Sequence, residues 1–455
     1  MKAVGRLAVA AVFIFAVLQC VRPAIPSQPL TAEIQAPPEV RHILETHCYA
    51  CHSSERRLSW FDQIVPGYWL VRYDILTARQ HLNFSTLGAK PLAAQKAALY
   101  EAVTMVQLGA MPLPQFVALH PAARMGPDDL NVLKAYLAPW SPPPSPANPP
   151  AAAPPANPTP PAPLTDLASV PPEPGGFAFD PSFEAWKLIS TTDRGDNDSL
   201  RLILGNDIAI TAARSGNISP WPKDARFAKI AWQQQPGPDG LIHPGHFIQV
   251  EFMDKDASRY KSTDGWGWGR WRGFDLKPYG SDAAYVNECT GCHQPVRGDD
   301  YVYTLPISSA AGTAARAEVV NTHAAALPAS LPYQPLNWNA ITLYVDPRAH
   351  SMSILFGNAQ AIAAANPRTG SPTPPSYPAG AVLALVTWVQ RDDPHWFGAR
   401  IPDAPQSVEF VQIAAPAQPT TYRRFAGATL AEDHTSAVAA QRLQLILSLP
   451  PAALP

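Results

Sequence analysis

Apolar residues are distributed differently in successive stretches of the chain. Leu7 to Leu18 are twelve apolar residues without a break, preceded by Lys2 and Arg6. That length suits the hydrophobic region of a signal peptide and is short for a bilayer span. No A-x-A cleavage site follows, so residues 1–22 read as a signal peptide or a short membrane anchor. From 38 to 140 the apolar positions recur at helical spacing. Pro38 and Glu39 open a run carrying Val40, Ile43 and Leu44 that leads into Cys48. "PLAAQKAALYEAVTMVQLG" (91–109) predicts a helix stopped by Gly109. "GPDDLNVLKAYLAPW" predicts another, with acidic residues in its first turn and Pro139 at its end. From about 177 the apolar runs are short and broken by Gly, Pro, Asn and Asp. "SLRLIL", "RFAKIAW" and "HFIQVEF" are predicted strands, and "AITAARSG" a short helix ending at Gly216.

Composition marks the boundary between the two textures. Proline makes up 53 of 455 residues, and twelve of the 24 residues from 141 to 164 are proline. Such a stretch cannot bury a core and predicts an extended spacer of polyproline character. Beyond it the sequence repeats itself. "DSLRLILGNDIAITAA" (198–213) aligns with "HSMSILFGNAQAIAAA" (350–365) at seven of sixteen positions, "FAKIAWQ" with "VLALVTWVQ" around Trp232 and Trp388, and "FIQV" (247–250) with "FVQI" (410–413). Leu385 then stands where the first copy has Lys229. The expected fold is multidomain α + β. A helical domain (23–140) and a Pro/Ala-rich linker (141–176) precede a mostly antiparallel β domain (177–306). A linker (307–330) and a degenerate second β copy (331–455) complete it. A net charge of −2 gives no sign of nucleic-acid binding.

Four of the five cysteines sit in two blocks, "CYACH" (48–52) and "CTGCH" (289–293). In C-x-x-C-H the two thiols lie about one helical turn apart, matched to the two vinyl groups of a haem, and the adjacent histidine becomes the proximal iron ligand. A zinc site needs four ligands where each block offers three, and a redox C-x-x-C pair needs no histidine. The expectation is two covalently attached haem c groups, on Cys48, Cys51 and His52 and on Cys289, Cys292 and His293. The third of the chain after Cys292 has no such motif, so the second β copy reads as haem-free. Attachment of this kind is completed outside the cytoplasmic membrane, so a periplasmic protein is expected, soluble or anchored to that membrane. Cys20 is left over, either a lipidated cysteine or an ordinary member of the apolar segment.

The first domain resembles a bacterial haem-binding cytochrome c family, through "PPEVRHILETHCYACHSSERRLSWFDQIVPGYWLVRYDI", "HLNFSTLG", "GAMPLPQFVALHPAARMGPDD" and the leader ending "QCVRP". The resemblance implies one covalent haem and no particular reaction. Met111 follows a helix in a proline-stiffened loop and is the favoured sixth ligand. Met105, Met125, His47 and His81 are its rivals. His/Met ligation gives a saturated iron suited to electron transfer.

The second domain resembles the cytochrome P-460 and cytochrome c′-beta family, through "SPWPKDARFAKIAW", "GHFIQVEFMDKDASRYKSTDGWGWGRW" and "NECTGCHQP". The resemblance implies a mostly antiparallel sheet, a small helix, and a haem whose distal side binds small nitrogen compounds. In hydroxylamine-oxidising members a strand lysine forms an extra link to the haem, and Lys229 falls on that position. Solvent projection from a one-sided strand is the alternative, weakened because Phe227 and Ala231 share its face. Glu251 matches the distal acid that takes protons from substrate; the alternative is a rim salt bridge. Phe252 points to the opposite face of a regular strand, so only one of the pair lines the pocket, while Met253 on Glu251's face is a rival iron ligand. The turn before the lysine strand, "WPKDAR", departs from the family's proline-aspartate-glycine.

The resulting expectation is an exported dihaem cytochrome that oxidises hydroxylamine or a related small nitrogen species at the second haem. Electrons would pass through the first to a periplasmic carrier. Binding of a diatomic gas (NO or CO) and pure electron transfer are the alternatives.

Overall fold

The computed structural model describes residues 2–26, 32–55, 58–138, 166–307, 325–366, 368, 374–415, 418–434 and 438–455. The proline-rich spacer up to residue 165 and residues 308–324 of the second expected linker lie outside them. The chain forms two compact units, Met1–Ser141 and Pro142–Pro455.

The first unit is helical. Helix α1 (Lys2–Leu18) is followed by α2 (Pro38–His47), α3 (Tyr49–His52), α4 (Gly67–His81), α5 (Phe84–Leu87), α6 (Leu92–Gln107), α7 (Pro114–Leu119) and α8 (Pro127–Leu137). Pro38 and Pro127 occupy first-turn positions, where a missing N–H costs nothing, and Gly109 just past α6 has a φ of +70°. Val40, Ile43 and Leu44 form the buried face of α2, as their spacing predicts. Tyr100 on α6 donates its hydroxyl to Leu137 O at 2.8 Å, tying α6 to α8.

Helix α1 exposes its apolar side chains, Val4, Leu7, Val12 and Phe13 among them. Among the described residues no helix is long and apolar enough to cross a membrane. The chain directly after α1 is stapled to the α4 region. Gln19 exchanges two hydrogen bonds with the backbone of Val65, at 2.9 and 3.0 Å. Trp69 donates to Val21 O at 2.9 Å and Tyr68 to Pro23 O at 2.6 Å.

The second unit is built on one antiparallel sheet of twelve strands among the described residues. They are β1 (Lys187–Arg194), β2 (Ser199–Gly205), β3 (Arg226–Pro236), β4 (Ile242–Lys255), β5 (Trp266–Arg272), β6 (Lys277–Pro278), β7 (Asn339–Asp346), β8 (Ser351–Gly357), β9 (Val382–Asp392), β10 (Ala399–Gln412), β11 (Thr421–Ala426) and β12 (Ala431–Asp433). The expected strands are β2, β3 and β4, and the expected helix is α9 (Asp207–Ser215), closed by Gly216 at φ +71°. Strands β1 to β4 and β7 to β10 form a ring. It closes where Ile242 pairs Val345 and where Asp193 and Arg194 pair Arg400 and Ala399. The two β stretches separated in the sequence therefore share one barrel. Its interior is packed by Leu202, Ile230, Trp232, Phe252, Ile354, Val386, Trp388 and Phe410.

Both stretches run strand, strand, short helix, strand, strand in the same order. The repeated Gly-Asn explains itself at the helix starts. Asn206 and Asn358 each cap a helix by accepting the N–H of Ala209 or Ala361 at 3.0 Å, a bond worth about 1 kcal/mol. A Cβ on Gly205 would lie 2.8 Å from Ile189, and one on Gly357 2.9 Å from Ile341, so neither position admits a larger residue without movement.

Strand register corrects one part of the sequence alignment. Lys229 pairs Glu251 as Leu385 pairs Glu409, so Leu385 does take the place of Lys229. But Ile230 pairs Val250 and Val386 pairs Val408, so Val250-Glu251-Phe252 answers to Val408-Glu409-Phe410. The match of 247–250 to 410–413 joined apolar residues of equal spacing at the wrong register.

Candidate haem centres

In the first unit, α2 runs almost directly into α3. Cys51 and His52 both donate their backbone N–H to Cys48 O, at 3.2 and 2.9 Å, which sets the two thiols one turn apart with the histidine beside them. His52 Nδ1 lies 3.0 Å from Leu82 O. A carbonyl only accepts, so the proton sits on Nδ1 and Nε2 is the nitrogen left with a lone pair for a metal. Burial lowers the His52 pKa, and it pushes the Cys48 and Cys51 thiols up to about 12 and about 11. The imidazole is thus neutral, as a metal ligand must be.

Met111 lies in the loop between α6 and α7 and is half-buried; its N–H and that of Ala110 both donate to Met105 O, at 3.1 and 2.9 Å. Met105 and Met125 are also half-buried, and His81 is exposed. His47 is held at both ring nitrogens, by Ala123 O at 3.0 Å and Asp129 Oδ2 at 3.1 Å, so neither nitrogen is open to iron in this arrangement.

In the second unit the motif forms the end of α10 (Val286–His293), which packs on the outer face of the barrel with Cys289 buried. His293 Nδ1 meets Tyr301 O at 2.7 Å, fixing the same tautomer as in His52. Burial pulls the His293 imidazole down to about 4. The Trp268 ring packs 4.6 Å from it and the Tyr303 ring 5.0 Å, centroid to centroid.

One row of cross-strand partners faces the same side: Ile203, Lys229, Glu251 and Arg270, on β2, β3, β4 and β5. Lys229 Nζ contacts the Glu251 carboxylate from one side, and Arg270 Nε meets Glu251 Oε1 at 2.5 Å from the other. Burial alone would raise the Glu251 carboxyl, but Lys229 and Arg270 outweigh it and hold it below the usual carboxylate range. Burial lowers the Lys229 amine, opposed by Glu251. Arg201, two residues before Ile203, is pushed down to about 9 by burial and by Arg194. Phe252 turns the other way, into the barrel, edge-on to Phe179, Phe183 and Trp271. Glu251 is thus the member of that pair on the α10 side, with Met253 half-buried against the same cluster.

The residues present fit a haem at both motifs. Each supplies two thiols one turn apart and a neutral imidazole whose Nδ1 is engaged by a carbonyl. In the second unit the buried indole N–H groups of Trp266 and Trp268 also lack acceptors among the described residues, and they lie on the face that carries Lys229 and Glu251. Buried donors left unpaired in this way suit a site whose polar occupant is a cofactor.

Arg270 is the main site residue that sequence reasoning missed. The alternation in "GWGWGRW" places Trp266, Trp268 and Arg270 on one face, but only register shows that the face is Glu251's. In the other half, the equivalent row is Leu355, Leu385, Glu409 and Arg424. There the C-terminal helix Ala439–Ser448 packs Ile446 over Leu385, and Arg442 clasps the fully buried Glu409 through contacts of 2.9 and 2.5 Å.

Residues 9–139 match the haem-binding domain family, and residues 181–304 match cytochrome P460. No curated protein matches the chain.

Proposed function

On the premise that this chain is a haem cytochrome, a haem-binding domain followed by a cytochrome P460 domain, we propose that it is an exported dihaem c-type protein. Its second haem oxidises hydroxylamine or a related small nitrogen species, and its first passes the electrons to a periplasmic carrier. The observation that carries this reading is the Lys229–Glu251–Arg270 row on the face that bears Cys289 and His293, with Phe252 turned away.

When bound, the haem would supply a redox-active iron able to take electrons from the substrate. Glu251 is the group that receives the protons a nitrogen substrate must lose as its electrons leave. A carboxylate held this far below its usual range is a weak base. Were Lys229 held against the haem as an uncharged nitrogen, the cation closest to Glu251 would be gone and the carboxyl would return toward its ordinary basicity. The link and the proton acceptor are in this way two parts of one device. Arg270 keeps the carboxylate aimed at the site throughout.

In the first unit, Met111 is the residue that would complete the coordination of a haem held by His52, and such an iron would serve electron transfer alone. The β half after residue 331 is a degenerate copy without haem: no cysteine follows Cys292, Leu385 replaces Lys229, and the C-terminal helix packs over the equivalent face. Helix α1, apolar from Leu7 to Leu18 but too short to cross a bilayer, is a retained membrane-surface anchor rather than a removed leader. Gln19 to Pro23 bind the α4 region, and Trp60, Leu70 and Tyr73 are exposed on that same stretch, suited to a lipid interface.

Binding of nitric oxide or carbon monoxide is the competing reading, favoured by the pairing of Lys229 with Glu251 as a closed ion network. The optical spectrum of the purified reduced protein separates the two. A red-shifted Soret band with an anomalous haem mass supports the linked, oxidising site; an ordinary c-type spectrum that responds to added gas supports the other.

A further inference from the structure

The segment that holds His293 is itself unusual. Asp300 and Tyr301 are consecutive non-glycine residues in the left-handed region, at φ +52° and +66°. Such a pair persists only where its surroundings over-determine it, and it is a reason to look for function. Here the pair turns the Tyr301 carbonyl toward His293 Nδ1.

Four restraints on this segment come from the haem-bearing half. Lys255 Nζ and the Trp221 N–H donate to the Asp300 carboxylate at 2.6 and 2.8 Å. The Tyr301 hydroxyl donates to Asp264 Oδ2 at 2.6 Å, and the Tyr303 hydroxyl to Cys292 O at 2.6 Å. The fifth comes from elsewhere. His395, 7% exposed in the turn between β9 and β10, approaches Tyr303 O with Nδ1 at 2.7 Å. Because that oxygen only accepts, His395 Nδ1 carries the proton. The next residue, Trp396, packs 5.5 Å from the Tyr303 ring, and is fixed in turn by Arg194 stacked at 4.0 Å and by its own N–H to Asp196. The Tyr303 ring contacts both Trp396 and His293. The exchange is reciprocal: Leu241, at the turn between β3 and β4, packs into the outer cluster of the other half.

We infer that the β half lacking its own C-x-x-C-H motif completes the proximal side of the second haem centre. His395 is a positioning residue: it acts through the Tyr301–Tyr303 segment on the hydrogen bond made to His293. This rests on the reading that His293 carries a haem. The carbonyl partner of a ligating imidazole sets its orientation and raises its donor strength, which stabilises the oxidised iron. Loosening the segment weakens that bond and raises the reduction potential.

The test is a spectroelectrochemical titration of full-length holoprotein, with wild type, His395→Leu and His395→Asn compared. Loss of the donor in His395→Leu is expected to shift the reduced-to-oxidised ratio of the second haem about tenfold toward reduced, a rise of 59 mV for one electron. The first haem is the internal reference and stays put. His395→Asn, whose amide N–H reaches the place of Nδ1, restores the wild-type value. If His395→Leu does not accumulate, Trp396→Leu is expected to move the same potential in the same direction by a smaller amount. Unchanged potentials in whichever variant is measured, with both haems present, overturn the inference. Loss of the second haem from wild type as well would instead defeat the reading on which it rests.

Discussion

Glu251 and Glu409 hold the same register position in the two halves of the barrel, the first opposite Lys229 and the second opposite Leu385. One carboxylate is left beside an amine that a cofactor can claim; the other is sealed by Arg442 and the Tyr422 hydroxyl. On the proposed reading the first is a buried charge kept for chemistry, whereas the second is neutralised by its partners.

Exchanging the residue that differs tests the first role. Lys229→Leu copies the other half at this position. It is expected to give an ordinary haem c spectrum, to abolish turnover of hydroxylamine and to leave the haem content unchanged. Optical spectra, an intact mass and a hydroxylamine-turnover assay check the three outcomes, and retained turnover would remove Lys229 from the mechanism.

Arg442 supplies the corresponding test of stability. Arg442→Met strands Glu409 as a buried charge, for which a loss of about 3 kcal/mol is expected. Urea unfolding followed by tryptophan fluorescence reads the loss. Haem absorbance of the folded variant should match that of wild type, since the pair faces the half without a C-x-x-C-H motif.

Glu173 gives the β unit a pH dependence. Its Oε1 accepts the N–H groups of Arg270 and Tyr279 at 2.7 and 3.2 Å, and burial raises its carboxyl above the ordinary 4.5. The folded state therefore holds this proton more tightly than the unfolded state does. The resulting stabilisation is complete below 4.5 and is lost as the pH climbs through the raised value. Glu173→Gln keeps the accepting oxygen and removes the titration. Unfolding free energy plotted against pH should decline less across that window in the variant than in wild type.

The stapling of Gln19 to Pro23 onto the α4 region predicts that α1 is kept if the protein is exported as proposed. N-terminal sequencing of material recovered from a maturation-competent host is expected to begin before Gln19, with the protein in the membrane fraction. A terminus beyond Pro23 and a soluble product would refute retention.

Much of this architecture is legible in the sequence because local chemistry dictates it. Val40, Ile43 and Leu44 bury one face of α2; Gly109 and Gly216 supply the positive φ that ends a helix; Asn206 and Asn358 cap helices at the same place in each copy. The long-range features are not legible. That β1 pairs β10 and β4 pairs β7, closing one barrel from two β stretches, depends on edges that meet from about 200 and about 100 residues apart. His395 carries no motif at all, and its role follows only from tertiary proximity to Tyr303. Arg270 lies between: its face is readable from the alternation around it, but its partner is not.

The central claim is that two haems are joined to this chain, one in each unit. Intact and peptide mass spectrometry of the mature protein tests it most directly. Two haem masses are predicted, one on the peptide containing Cys48 and Cys51 and one on that containing Cys289 and Cys292. A mature protein carrying no haem mass, or one in which these four sulfurs are free or cross-linked to each other, would contradict it.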